Sequence, residues 1–177
     1  MRGTFSPARA WRPAVVARLA RTLGLTKQTP LAMAAIGTSA ASVRFFGDEL
    51  DPDEVTRLLG CAASKRYRKG DLVSPRRETR RKVGAWILAA DDREPEAIDA
   101  QLESIFARTT QDLQVWQDLA SRFRGDVFCG LFMNVSNEGF VLSLSTLKSL
   151  VARNLEISFD VYDPDDEPET LLPSREA

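Results

Sequence analysis

The run Asp126–Val135, DVFCGLFMNV, is apolar at almost every position. So short a stretch predicts a central strand covered on both faces, and such a strand needs a neighbour on each side. Leu155–Tyr162, LEISFDVY, offers a different pattern. Leu155, Ile157, Phe159 and Val161 alternate with Glu156, Ser158 and Asp160, which predicts a strand with one wet face. Between the two, Ser143 is a good N-cap for a helix carrying Leu147, Leu150 and Val151. Asn154 can take the left-handed position that ends it.

The upstream sequence repeats this texture. Ser42–Gly47, SVRFFG, reads as a strand, Pro52–Leu59 as a short helix and Lys82–Ala90, KVGAWILAA, as a second strand. From Glu94 to about Arg108, a helical stripe holds Ile98, Leu102, Ile105 and Phe106. Leu113, Trp116, Leu119 and Phe123 continue that period, giving one broken helix or a helix pair. The order strand–helix–strand, helical insert, strand–helix–strand predicts an α+β fold, a ferredoxin-like split βαβ sandwich. Its one mainly antiparallel sheet has helices on one face. The expected organisation is a basic, disordered N-terminal extension over residues 1–39, one α+β domain over 40–162, and an acidic, proline-rich, disordered tail over 163–177.

Charge and composition narrow the function classes. A chain of 177 residues that is 44% hydrophobic can bury a real core. The net charge of −1 hides an asymmetry: residues 1–39 carry six basic side chains and no acid, which leaves 18 basic against 25 acidic side chains, or −7, for the rest. Arg12, Arg18 and Arg21 interleave with Val15, Val16, Leu19 and Leu23 at helical spacing. That pattern reads either as a dispensable extension or as a targeting or docking segment. The following LAMAAIGTSAAS is too short and too weakly apolar to span a bilayer. Histidine is absent, which excludes Ser-His-Asp and Cys-His machinery and removes the commonest metal ligand. Cys61 and Cys129 stand far apart with no CxxC spacing, as expected of free thiols in a reducing compartment, and Cys129 sits in an apolar run.

Two charged clusters are candidate sites. Asp48, Glu49, Asp51, Asp53 and Glu54 place five carboxylates in seven residues. No register of this stretch puts a glycine sixth and a glutamate twelfth, so an EF-hand loop is excluded. The local reading is an Asp51 N-cap with Pro52 in the first turn, Asp53 and Glu54 at the positive end of the helix dipole, and capping-box spacing from Asp51 to Glu54. Asp48 and Glu49 are left without a structural role. The second cluster is Lys65–Lys82, with nine basic residues against Asp71 and Glu78, a local +7. Lys65, Arg66, Tyr67, Arg68, Lys69, Arg76, Arg77, Arg80 and Arg81 form the candidate binding set. The readings are a solvated loop paired with neighbouring carboxylates, an anion site for an acidic partner or phosphate, and a nucleic-acid surface with Tyr67 stacking on a base. Trp86 joins the set as a core residue or as the floor of a pocket beside that segment.

Several stretches together carry a family resemblance: FFGDELDPDEVTRLLG, RKGD (Arg68–Asp71), GAW (Gly84–Trp86), GFVLSLSTLKSLVA (Gly139–Ala152) and a closing FDVY. The chain resembles, over residues 41–162, a bacterial family known as domain of unknown function 4279. Ala63-Ser64 stands where that family usually has a proline–threonine pair. The resemblance implies an architecture and no catalytic residue. The expectation is a cytoplasmic binding module without cofactor or metal. It engages a protein partner through the basic segment or an exposed sheet face, with nucleic-acid or phosphate binding as the alternative. The strand apolar on both faces raises a further question, whether the N-terminal segment, the helical insert or a second subunit covers the sheet face away from the helices.

Overall fold

A computed structural model describes residues 34–74, 77–135 and 137–164. The expectations for residues 1–33 and for the tail from 165 onward lie outside the described residues. The strands are β1 (Ala34–Ala35), β2 (Thr38–Gly47), β3 (Lys65–Tyr67), β4 (Leu72–Ser74), β5 (Arg77–Arg80), β6 (Gly84–Ala89), β7 (Arg124–Phe132), β8 (Glu138–Gly139) and β9 (Glu156–Tyr162). The helices are α1 (Pro52–Leu59), α2 (Ile98–Ala107), α3 (Leu113–Arg122) and α4 (Leu144–Ala152). Ordered structure thus begins ahead of residue 40, with Ile36 in the core at 3% exposure.

The main sheet has five strands in the order β3–β6–β2–β7–β9. All neighbours are antiparallel except β7 and β9, so the sheet is mixed. Here the structure departs from expectation. The strand pairs read as split units, β2 with β6 and β7 with β9, are immediate neighbours with nothing between them. The strands that do enclose another are different ones. β2 and β3 run in the same sense and flank β6, while β6 and β7 flank β2. The cause is β3, which forms inside the basic segment and takes the outer place. Its residues Lys65, Arg66 and Tyr67 carry no apolar alternation, and only hydrogen bonding to the edge of β6 makes them a strand. β4 and β5 form a separate hairpin, so the segment expected as a solvated loop contains three short strands.

Alternation then sorts the faces. Ala41, Val43 and Phe45 of β2, Trp86 and Leu88 of β6, and Val127, Cys129 and Leu131 of β7 point to one side. There they meet Val55 and Leu59 of α1, Leu102 and Ile105 of α2, Trp116 and Leu119 of α3, and Leu150 of α4. Gly125 is the flat spot in this layer: a Cβ would stand 2.7 Å from the Phe45 ring. A buried polar knot pins α2. Gln101 Oε1 accepts from Ser39 Oγ at 2.7 Å, and its Nε2 donates to the Ser39 and Asp91 carbonyls at 3.0 and 2.8 Å. Each buried polar atom there has a partner, as burial requires.

Local rules hold at the helix ends. Asp51 accepts from Asp53 N at 3.0 Å, and Gly60 closes α1 in the left-handed region with φ 69°. Ser143 caps α4, accepting from Thr146 N, and Asn154 takes φ 55° after it. Both cysteines are free, and burial pushes the Cys129 thiol up to about 12. Among the described residues no helix is long and apolar enough to cross a membrane.

Candidate functional site

The acidic and basic clusters of the sequence are each other's partners. Arg68 Nη2 donates to Asp51 Oδ1 at 2.5 Å and to Asp53 Oδ2 at 2.8 Å, and Arg66 pairs with Asp53. Lys69 Nζ reaches Asp48 at 2.5 Å, which accounts for one carboxylate the helix cap left over. The Asp53 amide, and after it the Arg68 guanidinium, holds the Asp51 carboxyl below its usual range. Asp53, with Asp51, raises Arg68, and Asp48 raises Lys69. Glu54 turns away from Asp51 to Arg122 of α3, which it meets through both oxygens at 2.9–3.0 Å. That bridge ties α1 to α3 where a local capping box was expected.

The remaining sequence candidates are dispersed. Arg81 stacks on the Tyr67 ring at 4.2 Å, and Arg80 Nη1 donates to the Gly70 carbonyl at 2.8 Å. Lys65 is exposed on β3, opposite Ile87. Arg77 opens β5, and Arg76 lies outside the described residues. Trp86 is fully buried on the helix side, with Nε1 donating to Thr56 Oγ1 at 3.0 Å. A ligand on the surface of the basic segment meets no part of its ring.

The open face of the sheet holds a feature that sequence reading passed over. Arg44 of β2 and Asp126 of β7 are register partners there. They form a forked ion pair, Nε to Oδ1 at 2.7 Å and Nη2 to Oδ2 at 2.8 Å. The guanidinium lies 4.3 Å from the Phe128 ring centre and 5.5 Å from that of Phe46. A shallow groove of about 500 Å³ runs beside it, lined also by Val83 and Arg124. Asp126 is 3% exposed. The pair therefore orders the face and leaves little free charge for a ligand.

Exposed apolar side chains gather elsewhere, on the last helix and strand. Leu144, Leu147 and Val151 form one stripe along α4 at i, i+3 and i+7, and Val151 is 79% exposed. Phe159 and Val161 of β9 are also exposed. β9 ends the sheet, and among the described residues it pairs only with β7. Alternation predicts Phe159 and Val161 inward; they are register partners of the buried Cys129 and Leu131, but they remain exposed. Phe140 lies against the Phe159 ring at 5.2 Å, yet among the described residues both β9 side chains stay exposed, which is a matter of tertiary arrangement.

Among the described residues these elements define an α+β domain with a five-stranded mixed sheet, four helices and an exposed apolar edge. The family described as Domain of unknown function (DUF4279) matches residues 36–164, and the chain belongs to it. No curated protein matches the chain, and no solved structure does.

Proposed function

We propose that this chain is a protein-docking module rather than a catalyst, that its docking surface is the β9–α4 edge, and that a second copy of the chain occupies it. The scaffold on this reading is a ferredoxin-like core, β2–α1–β3–β6–α2–α3–β7, with α4 and β9 appended. The observation that carries the proposal is the apolar stripe Leu144–Leu147–Val151 beside a strand that, among the described residues, is paired on one side only. Edge strands that must stay single are commonly guarded by lysine, proline or a bulge. β9, EISFDVY, has no lysine or proline, and its charges are Glu156 and Asp160.

Self-complementarity favours the second copy. Antiparallel pairing of β9 with its equivalent, centred on Phe159, engages all seven residues. Glu156 then faces Tyr162, Ile157 faces Val161, and Ser158 faces Asp160. Moving the axis by one residue sets Glu156 against Asp160, or Asp160 against itself, and like charges directly opposite are destabilising. The full-length register is the one free of that conflict. Nucleic-acid binding through residues 65–82 is the weaker reading, because Arg66, Arg68 and Lys69 are already held by carboxylates.

Light scattering on the full chain across the micromolar range tests the proposal. The expected result is a dimer, converted to a folded monomer by Val161→Lys. A wild-type chain that stays monomeric throughout that range refutes it.

A further inference from the structure

On the opposite flank of α4 from the apolar stripe, a groove of about 550 Å³ runs between α2 and α4. Asp99 and Glu103 line it from α2, and Ser145, Thr146, Ser149 and Arg153 from α4 and its C-cap. Its distinctive member is Arg153. The residue is 6% exposed, its guanidinium stacks 4.2 Å from the Phe106 ring centre and 5.5 Å from that of Trp116, and Nη1 donates to the Ser149 carbonyl at 3.1 Å. Nε has no hydrogen-bond partner, and among the described residues no carboxylate lies within ion-pair distance. Burial accordingly lowers the Arg153 pKa.

A guanidinium out of water needs a compensating anion, and ring stacking with one carbonyl bond supplies only part of that. The other arginines with clear carboxylate partners, Arg44, Arg66, Arg68 and Arg122, are all more exposed than Arg153. The opposite wall sets the second requirement. Asp99 already accepts from Ser143 N at 3.1–3.2 Å, and Glu103 stands one turn further along α2. Two carboxylates disfavour a polyanion such as phosphate, and together with the α4 hydroxyls they favour a ligand that donates hydrogen bonds.

We infer that the α2–α4 groove binds a small monocarboxylate whose other end carries hydrogen-bond donors, the carboxylate on Arg153 and the donors on Glu103 and the α4 hydroxyls. The site is separate from the β9 edge and does not depend on self-association.

Amide-resolved NMR titration of the full chain tests this, with D-glucuronate supplying hydroxyl donors and 4-aminobutanoate an ammonium donor. D-glucose and inorganic phosphate are the controls. One or both carboxylates are expected to shift the Phe106, Ala107, Ser149 and Arg153 amides saturably. Arg153→Gln should weaken that binding roughly ten- to a hundredfold, the loss of charge-assisted hydrogen bonds. Ser145→Ala, on the exposed lip, checks the donor end without touching Arg153 and should weaken binding more modestly. Thermal unfolding supplies an independent readout. An uncompensated buried cation makes Arg153→Gln neutral or stabilising in the free protein, whereas a purely structural cap makes it destabilising. Failure of both carboxylates to shift these amides, equal binding of phosphate, or binding unchanged in Arg153→Gln overturns the inference.

Discussion

Arg44 holds Asp126 across β2 and β7 through two parallel N–H···O bonds of 2.7 and 2.8 Å, on the sheet face that carries no helix among the described residues. The Asp126 carboxylate is almost wholly buried, while the arginine side chain keeps 22% of its surface. Phe46 and Phe128 flank the guanidinium, with ring centres at 5.5 and 4.3 Å. A charged pair thus does on this face what aliphatic packing does on the other.

Removing one partner should therefore cost more than removing both. Asp126→Ala strands the Arg44 charge against two rings, and the expected loss is about 2–4 kcal/mol, discounted from a fully buried pair for the partial exposure of Arg44. The double replacement Arg44→Met with Asp126→Leu should recover most of it. Urea midpoints of the three variants check the coupling, and additive losses contradict it.

The Asp51 carboxyl, held low by the Asp53 amide and then by Arg68, should give acid-dependent stability. A carboxyl with a depressed folded pKa contributes stability that is present above its unfolded value, near 3.8. That stability is lost as pH falls through the folded value. Asp51→Asn keeps a capping oxygen and removes the titration. Its urea midpoint should fall less steeply than wild type below about pH 4. Parallel acid profiles refute the assignment.

The two cysteines should differ sharply toward a thiol reagent. Cys129 is fully buried with its thiol pushed up to about 12, whereas Cys61 is half-buried after α1. One equivalent should react in the native protein and two in denaturant. Rapid modification of both in the folded state contradicts the placement of Cys129.

The α4 stripe offers a test of the docking edge that leaves β9 intact. Leu147→Glu with Val151→Glu replaces exposed apolar side chains, so the monomer should keep its urea midpoint within about 0.5 kcal/mol. Self-association should weaken by roughly tenfold or more. Sedimentation velocity reads the second effect and chemical denaturation the first. A dimer of unchanged affinity removes α4 from the interface.

Much of the fold was legible because its signals are local. Asp51-Pro52, Gly60, Ser143 and Asn154 mark helix ends through their own hydrogen bonds and backbone preferences. Phe45 and Phe46, and then Ile157, Phe159 and Val161, declare their faces by alternation. β3 was not legible, because Lys65-Arg66-Tyr67 becomes a strand only by pairing with β6. For the same reason the pairs that enclose a third strand were misassigned. The candidate site shifted as well, since charge counting cannot reveal that the carboxylates at 48–54 lie beside the basic residues at 66–69.

The sequence by itself determined the helices and the longer strands, the alternation along those strands, the family and the absence of histidine chemistry, all of which follow from residue type and short-range spacing. Only the tertiary structure decided which strands are neighbours, which charges cancel, and which arginine is buried with no carboxylate partner among the described residues. Those outcomes depend on groups far apart in the chain, such as Glu54 with Arg122 or Arg44 with Asp126. Coulombic and packing energies act through space, and no local pattern encodes which distant groups will meet.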